Sequence, residues 1–300
     1  MTDLIVIGAG MAGMTACLYA LRQNKSVTII EKNGIGGQIA ESPKVENYPS
    51  IESISGSELA DKTFTQIMNK GANFEFGNVN KVEKEHEIFK VDVDGKVLEA
   101  RSVIIATGCK HRMLNVENEE RLIGHGISYC ALCDGAFYAG EDIVLIGDAN
   151  TALQYALLLS GYAKSVHIVT LFNKFFGDKA LVDAVLAKEN IKVSHEFALK
   201  QIIGENELAE LVFENTKTGE KLDLKTKALF VAIGQIPDNK RFENVAELDG
   251  RGYFVRKDDL STKTPGLFVA GDCTAKQVRQ VATAISDGAI AGTSACNYLM

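Results

Sequence analysis

Leu4-Ile5-Val6-Ile7-Gly8-Ala9-Gly10-Met11-Ala12-Gly13 carries an apolar run straight into a glycine turn of the form G-x-G-x-x-G. The run predicts a buried strand, residues 14–23 a helix rich in Ala, Leu and Met, and Ser26-Val27-Thr28-Ile29-Ile30 a second strand ending on Glu31. Each glycine has a physical reason. Gly8 permits the tight turn, Gly10 lets backbone approach a pyrophosphate, and Gly13 lets the helix pack close to the sheet. The helix N-terminus then faces the phosphates, and Glu31 is placed to accept hydrogen bonds from a ribose. Alone the glycine pattern is a weak signal, and an accidental Gly-rich turn is the alternative. Its position between a strand and a helix, with an acid at the tip of the next strand, is what a dinucleotide site demands.

Working outward, Gly34-Ile35-Gly36-Gly37-Gln38 reads as a loop where a ligand lies against bare backbone, and Asn47 falls in a polar stretch before Pro49. Ser57 is expected to cap a helix whose apolar positions Ala60, Phe64, Ile67 and Met68 keep helical spacing until Gly71. Phe89, Val91 and Val93 alternate with Lys90 and Asp92, Asp94-Gly95 is a hairpin signal, and Val103-Ile104-Ile105-Ala106 is a buried strand closing on Thr107-Gly108. The plan then begins again. Ile143-Val144-Leu145-Ile146 is a strand, Gly147-Asp148-Ala149-Asn150-Thr151-Ala152 a turn, residues 153–159 a helix and Val166-His167-Ile168-Val169 a strand. After a charged hairpin region, Leu229-Phe230-Val231-Ala232-Ile233-Gly234 mirrors the run ending at Gly108, so the fold class is α/β with two Rossmann-like, three-layer units. Pro265 to Asp272 is a short strand ending in Gly-Asp, and Arg279-Gln280-Val281-Ala282 opens a last helix reaching near Tyr298. The expected organisation is a first domain of residues 1–113 and 242–300, with residues 114–241 inserted.

Between the two units stands Ser128-Tyr129-Cys130-Ala131-Leu132-Cys133-Asp134-Gly135. Two thiols two residues apart close a small disulfide ring, and at a helix start the dipole lowers the thiolate pKa. The alternative, half of a zinc site, needs a second close Cys or His pair; Cys17, Cys109, Cys273 and Cys296 stand alone in sequence, so no metal is expected. Asp134, beside a sulfur that gains and loses protons, is a candidate general acid/base, with a helix-capping Asp as the structural alternative. Cys273 beside Asp272 is a possible third redox thiol, against the plainer reading of a small core residue.

Composition narrows the class. Three hundred residues suffice for two domains, each with its own core. A net charge of −7 argues against nucleic acid or an anionic membrane as partner, and no apolar run approaches bilayer length. The expectation is a cytoplasmic protein, where a Cys pair suits catalysis better than a structural bridge.

With these motifs in place, the chain resembles the low-molecular-weight thioredoxin reductases over nearly its full length. The resemblance is carried by Gly8, Gly10 and Gly13, Gly36-Gly37-Gln38, Asn47, Ala106-Thr107-Gly108, the Cys130 to Asp134 block, Gly271-Asp272 and Arg279-Gln280-Val281. It implies FAD in the first domain, with the ADP half on the glycine turn of Gly8, Ala9, Gly10, Met11, Ala12 and Gly13 and on Glu31, and with Lys32 and Val79 among the cofactor-binding residues. It also places Gly36, Gly37, Gln38, Ala106, Thr107, Gly108, Gly271, Arg279 and Val281 at the cofactor. Asp272 would meet the ribityl chain, Asn47 and Gln280 would lie near the flavin ring, and the last helix would aim its dipole at it. By the same resemblance Cys133 lies next to the flavin, Cys130 attacks the disulfide of a thioredoxin-like partner, and Asp134 moves the proton. A homodimer is implied too.

The second unit departs from the family. NADPH-linked members carry G-x-G-x-x-A there, whereas this chain puts Ala149 at the second glycine. They hold the 2′-phosphate with a His-Arg-Arg run and a further Arg, where this chain has Thr170-Leu171-Phe172 and Phe176, with Lys174 the one cation in that stretch. No acid ends that strand either, so a switch to NADH is not indicated. NADP(H) binding is therefore doubtful, and the chain resembles the ferredoxin-dependent flavin thioredoxin reductases. Two alternatives remain, an NADPH-dependent thioredoxin reductase with a drifted motif and a non-catalytic flavin redox sensor. Because one thiol pair must serve a buried flavin and a bulky protein, hinges are expected near residues 111–114 and 237–241.

Overall fold

The computed structural model describes residues 1–42 and 45–300. Leu4, Ile5 and Val6 have no solvent exposure, so β1 (Thr2–Ile7) is a central strand, and each of these side chains contributes about 1.5–3 kcal/mol of burial. It is followed by α1 (Met11–Arg22), β2 (Val27–Glu31), α2 (Gly56–Met68), β3 (Asn73–Phe76), β4 (Val79–Glu85), β5 (Ile88–Val93) and β6 (Lys96–Ile105). Together these strands form a sheet in the order β3-β2-β1-β6-β5-β4. β1 pairs in parallel with β2 on one side and β6 on the other.

The helix after the glycine turn begins at Met11 rather than Met14, because the turn itself supplies its first residues. Ser55, not Ser57, caps α2: its Oγ accepts the Glu58 N–H at 3.1 Å, a contact that contributes about 1 kcal/mol. Ser57 lies inside the first turn, where its hydroxyl reaches only Ser55. The Asp94-Gly95 hairpin forms as expected, with Val93 opposite Lys96 and both turn residues at positive φ.

A short strand β7 (Lys110–His111) leads into the second unit. There follow α3 (Glu119–Leu122), β8 (Ile127–Ser128), α4 (Ala131–Asp134), β9 (Asp142–Ile146), α5 (Asn150–Leu159), β10 (Ser165–Thr170), α6 (Lys179–Leu186) and β11 (Ile191–His195). An antiparallel ribbon of β12 (Phe197–Ile203), β13 (Glu210–Asn215) and β14 (Lys221–Lys225) precedes β15 (Ala228–Val231), which returns beside β9. The parallel sheet runs β11-β10-β9-β15-β8. After β16 (Gln235–Ile236), β17 (Leu267–Val269) pairs with residues 103–105 of β6, and α7 (Val281–Tyr298) packs along α1. The chain thus divides into Met1–Lys110 with Ile236–Met300, and His111–Gln235.

The two units share one backbone device. Gly8, at φ +107, turns so close to the sheet that a Cβ would stand 2.4 Å from the Ala106 carbonyl oxygen, and Gly147 stands in the same relation to Ala232 at 2.6 Å. At Gly13 a Cβ would come within 1.9 Å of the Gly8 oxygen, so α1 is seated directly against the turn. Gly13→Ala is expected to lower the stability of the first unit by about 3 kcal/mol, seen as a lower urea midpoint; an unchanged midpoint would contradict this packing.

Candidate functional site

In the first unit the glycine turn, the tip of β2 and the start of β4 enclose a cavity lined by Gly8, Glu31, Lys32, Val79, Thr107 and Arg241 among others. The Glu31 carboxylate accepts the Ala9 N–H at 2.8 Å and the Lys32 and Asn33 N–H groups at 2.8 Å each, which fixes the acid against the turn. Ala9 O in turn accepts Gly36 N–H at 2.8 Å, and Gly10 forms a bridge with Gly36. The loop of residues 34–38 therefore lies beside the mouth of the turn, with residues 37–41 wound as a short 3₁₀ helix. Only the Gly36 carbonyl, at 3.8 Å, comes within 4 Å of a Cβ placed on Gly10, so this backbone is open to a ligand.

Contacts from distant parts of the chain complete the cavity. Arg241 donates to Asn78 Oδ1 at 2.8 Å and Val79 O at 3.0 Å, and Lys32 pairs with Asp238 at 3.0 Å. Asn239, fully buried, donates to Gly252 O and Cys273 O and accepts from Thr107 at 3.3 Å. None of Asn78, Asn239 or Arg241 belongs to a local motif, and the only hint in sequence is a polar cluster after Pro237.

Further along, Gly271-Asp272 ends β17 on a 3₁₀ turn, and burial pushes the Asp272 carboxyl up from its ordinary range. Its Oδ1 is buried without a hydrogen bond. Arg279 fastens this loop, donating to Asp272 O, Lys276 O and Thr274 O at 3.1–3.3 Å while its guanidinium lies 4.3 Å from the Tyr253 ring centroid. Gln280 caps α7 in a reciprocal arrangement with Thr283, and its Oε1 accepts from Asn47 Nδ2 at 3.1 Å. Asn47 and Gln280 are thus brought together from 233 residues apart. Gln38 Nε2 donates to Cys109 O. The glycine backbone, the cavity beside Glu31 and the unsatisfied Asp272 oxygen fit a flavin dinucleotide.

In the second unit Cys130 and Cys133 form a disulfide, with Cα atoms 5.2 Å apart. Cys130 is the N-cap of α4, and its Sγ accepts the Cys133 N–H at 3.2 Å. The helix is a single turn continuing into a 3₁₀ turn over residues 135–138, so the dipole acting on the pair is that of a few peptides. Ser128 Oγ accepts from Cys130 N at 3.0 Å and donates to Asp134 Oδ2 at 2.6 Å. Asp134 Oδ1 is buried without a hydrogen bond, and burial raises the carboxyl's pKa against the opposing pull of Ser128. Asp134 does not cap the helix; it lies in its first turn. Tyr129 donates to the buried Glu119, which also accepts from Leu114 N and Asn115 N at 2.8 Å each. His111 stacks on Tyr129 at 4.7 Å, and burial lowers its pKa to about 4.

The other cysteines are buried outside any disulfide. Burial pushes Cys273 up to about 11 and Cys109 up to about 12, and raises Cys17 and Cys296 as well, so none is a ready thiolate. No group of three or more potential metal-binding side chains occurs among the described residues. Nor is any helix among them long and apolar enough to cross a membrane.

The second glycine turn is hydrogen-bonded to residues 176–178. Phe176 N–H donates to Asp148 O at 2.7 Å, Asn150 Nδ2 to Asp178 Oδ2 at 2.9 Å, and Asp178 N–H to Asn150 Oδ1 at 2.7 Å. Residues 176–178 therefore lie across the N-terminal end of α5, with the Asp178 carboxylate beside it. Leu171, Phe172 and Phe176 are each at least 50 % exposed, with Phe172 and Phe176 edge to face and Lys174 over the Phe176 ring.

A sequence model of the pyridine nucleotide-disulphide oxidoreductase family matches residues 2–288. The chain is 38% identical over 298 residues to a thioredoxin reductase of Bacillus subtilis, covering 99% of this chain and 94% of the relative. It is 37% identical over 298 residues to a Clostridium pasteurianum protein described as a 34.2 kDa protein in the rubredoxin operon, covering 99% and 97%. The crystal structure of thioredoxin reductase from Streptococcus pyogenes superposes with a TM-score of 0.96 at 37% identity, covering 100% of this chain and 98% of that one. The glycine turns, the acid beside a disulfide and these matches have one conclusion: the chain belongs to the pyridine nucleotide-disulphide oxidoreductase family.

Proposed function

We propose that this protein is a flavin-dependent thioredoxin-disulfide reductase whose electrons come from a ferredoxin-type donor. The observation that carries the reductase reading is the Cys130–Cys133 disulfide with Asp134 one residue on, its Oδ1 buried without a hydrogen bond. The residues proposed to hold FAD are the turn from Gly8 to Gly13, Glu31, Lys32, Gly36 to Gln38, Val79 and Asp272, with Asn47 and Gln280 nearer the ring. The chemistry supplied by bound FAD is storage of two electrons taken singly and their release as a pair.

The thiol chemistry belongs to the chain. Two electrons and one proton open the Cys130–Cys133 bond, leaving Cys130 as thiolate and Cys133 as thiol. Cys130 thiolate attacks the disulfide of thioredoxin, forming a mixed disulfide and expelling a thiolate that takes a proton from Asp134. Cys133 returns its proton to the Asp134 carboxylate, and its Sγ then displaces the partner from Cys130, closing the ring and releasing the second thioredoxin sulfur as a thiolate that is protonated from solvent. A raised pKa keeps the Asp134 proton in place to higher pH than an exposed carboxyl would, so turnover falls as pH rises through that value.

The donor assignment is supported by the second glycine turn. A 2′-phosphate needs cationic forks, whereas Leu171, Phe172 and Phe176 are apolar and Lys174 covers a ring. A pyrophosphate approaches backbone closely at a helix start, whereas here Ala149 carries a methyl group and the Asp178 carboxylate is hydrogen-bonded to the Asn150 side chain. A relative described by a rubredoxin operon is in keeping with an iron-protein donor. The second reading, NADPH as donor, is favoured by the family's own description.

Anaerobic mixing of the oxidised protein with NADPH or NADH is expected to leave its flavin absorbance unchanged over seconds, while reduced ferredoxin bleaches it. Rapid bleaching by either nucleotide overturns the donor assignment. Cys133→Ser should retain FAD and abolish thioredoxin reduction; persisting turnover would remove its role. Asp134→Asn, which keeps an oxygen for Ser128, is expected to lower turnover about a hundredfold and flatten the pH profile, read in a steady-state thioredoxin assay.

A further inference from the structure

Lys276 is an ammonium group almost without solvent, its side chain 8% exposed, on the loop between β17 and α7. Its Nζ lies 2.9 Å from Asp287 Oδ2 and 3.4 Å from Asp272 Oδ1, the second contact lacking hydrogen-bond geometry, and 3.5 Å from Thr283 Oγ1. Asp287, on the second turn of α7, also accepts Gly271 N–H through the same Oδ2 at 3.0 Å. Two acids and one ammonium are therefore packed within one cluster, in which the Lys276 and Asp287 side chains are 8% and 11% exposed and that of Asp272 24%. The remaining nearby cation, Arg279, is engaged with three backbone carbonyls of the same loop.

Buried carboxylates are costly unless matched, and two of them facing each other cannot both stay ionised without a cation between them. Lys276 is committed by its short hydrogen bond to Asp287, which leaves Asp272 screened from that acid yet with an oxygen still open. We propose that Lys276 and Asp287 act together as positioning residues for the cofactor. The pair keeps Asp272 a single, correctly placed anion, reserved for a hydroxyl donor of the bound flavin dinucleotide. Neither residue touches the cofactor in this scheme, and the inference rests on the flavoprotein reading above.

The pairing makes an unusual prediction about combined substitutions. Lys276→Met leaves Asp287 facing Asp272. Asp287→Asn frees Lys276 to pair fully with Asp272 and occupy its open oxygen, while the amide oxygen still accepts Gly271 N–H. Each single change is expected to weaken FAD binding at least tenfold, and the double change to recover most of that loss, because the charge count beside Asp272 is restored. The experiment is titration of flavin-free protein with FAD, followed by flavin fluorescence, with the thermal midpoint of each flavin-free protein measured alongside. Compensation in FAD affinity, with similar midpoints, supports the inference. Losses that add, an unchanged Lys276→Met, or losses that follow only the midpoint overturn it. Lys276→Gln replaces Lys276→Met if the latter does not fold. Wild-type protein that binds no FAD would instead sink the flavoprotein reading, so the two failures are distinct.

Discussion

At Gly8 the chain turns from strand to helix within contact of the Ala106 carbonyl, and at Gly147 it repeats the manoeuvre against Ala232. Everything else in each unit is arranged around that close approach. In both, the strand carrying the opposing carbonyl must return beside the strand that feeds the turn, which it does through β6 next to β1 and β15 next to β9. A side chain at either glycine would collide with backbone rather than with a mobile group, so the turn and the sheet order constrain each other.

The same scaffold has been put to different use twice. In the first unit the turn opens on a cavity bounded by Glu31 and Val79, and the Asp272 loop supplies an acid whose buried Oδ1 has no hydrogen bond. In the second, residues 176–178 hydrogen-bond to the turn, and on the chain just before β9 Cys130 and Cys133 are joined beside Asp134. Burial decides which sulfurs matter. Cys273 and Cys109 are pushed far above neutrality in the core, while the paired thiols have Ser128, a backbone N–H and a buried carboxyl around them.

A dinucleotide-type fold does not by itself fix its ligand. The fold depends on glycine packing and buried strands, which Ala149 does not disturb, because the close contact is made at Gly147. Recognition of a phosphate depends instead on cations and on backbone N–H groups at the turn, which the packing of the core does not require. Fold and ligand are therefore set by different residues.

Much was legible in the residues themselves. The alternation of Phe89, Val91 and Val93, the Asp94-Gly95 turn and the two glycine runs give a period or a backbone requirement that few structures satisfy, so the α/β class and both units could be read directly. The Cys-x-x-Cys spacing likewise specified a local ring. Boundaries were less determined: Ser55 and Ser57 are equivalent as letters, and only the path of the chain into α2 selects the first. What tertiary structure alone decided are contacts between residues remote in sequence, such as Asn239 with Cys273, Arg241 with Val79, and Lys276 between Asp272 and Asp287. Long-range pairing leaves no periodic trace, and the meaning of a buried charge depends on which other charge the fold brings to meet it.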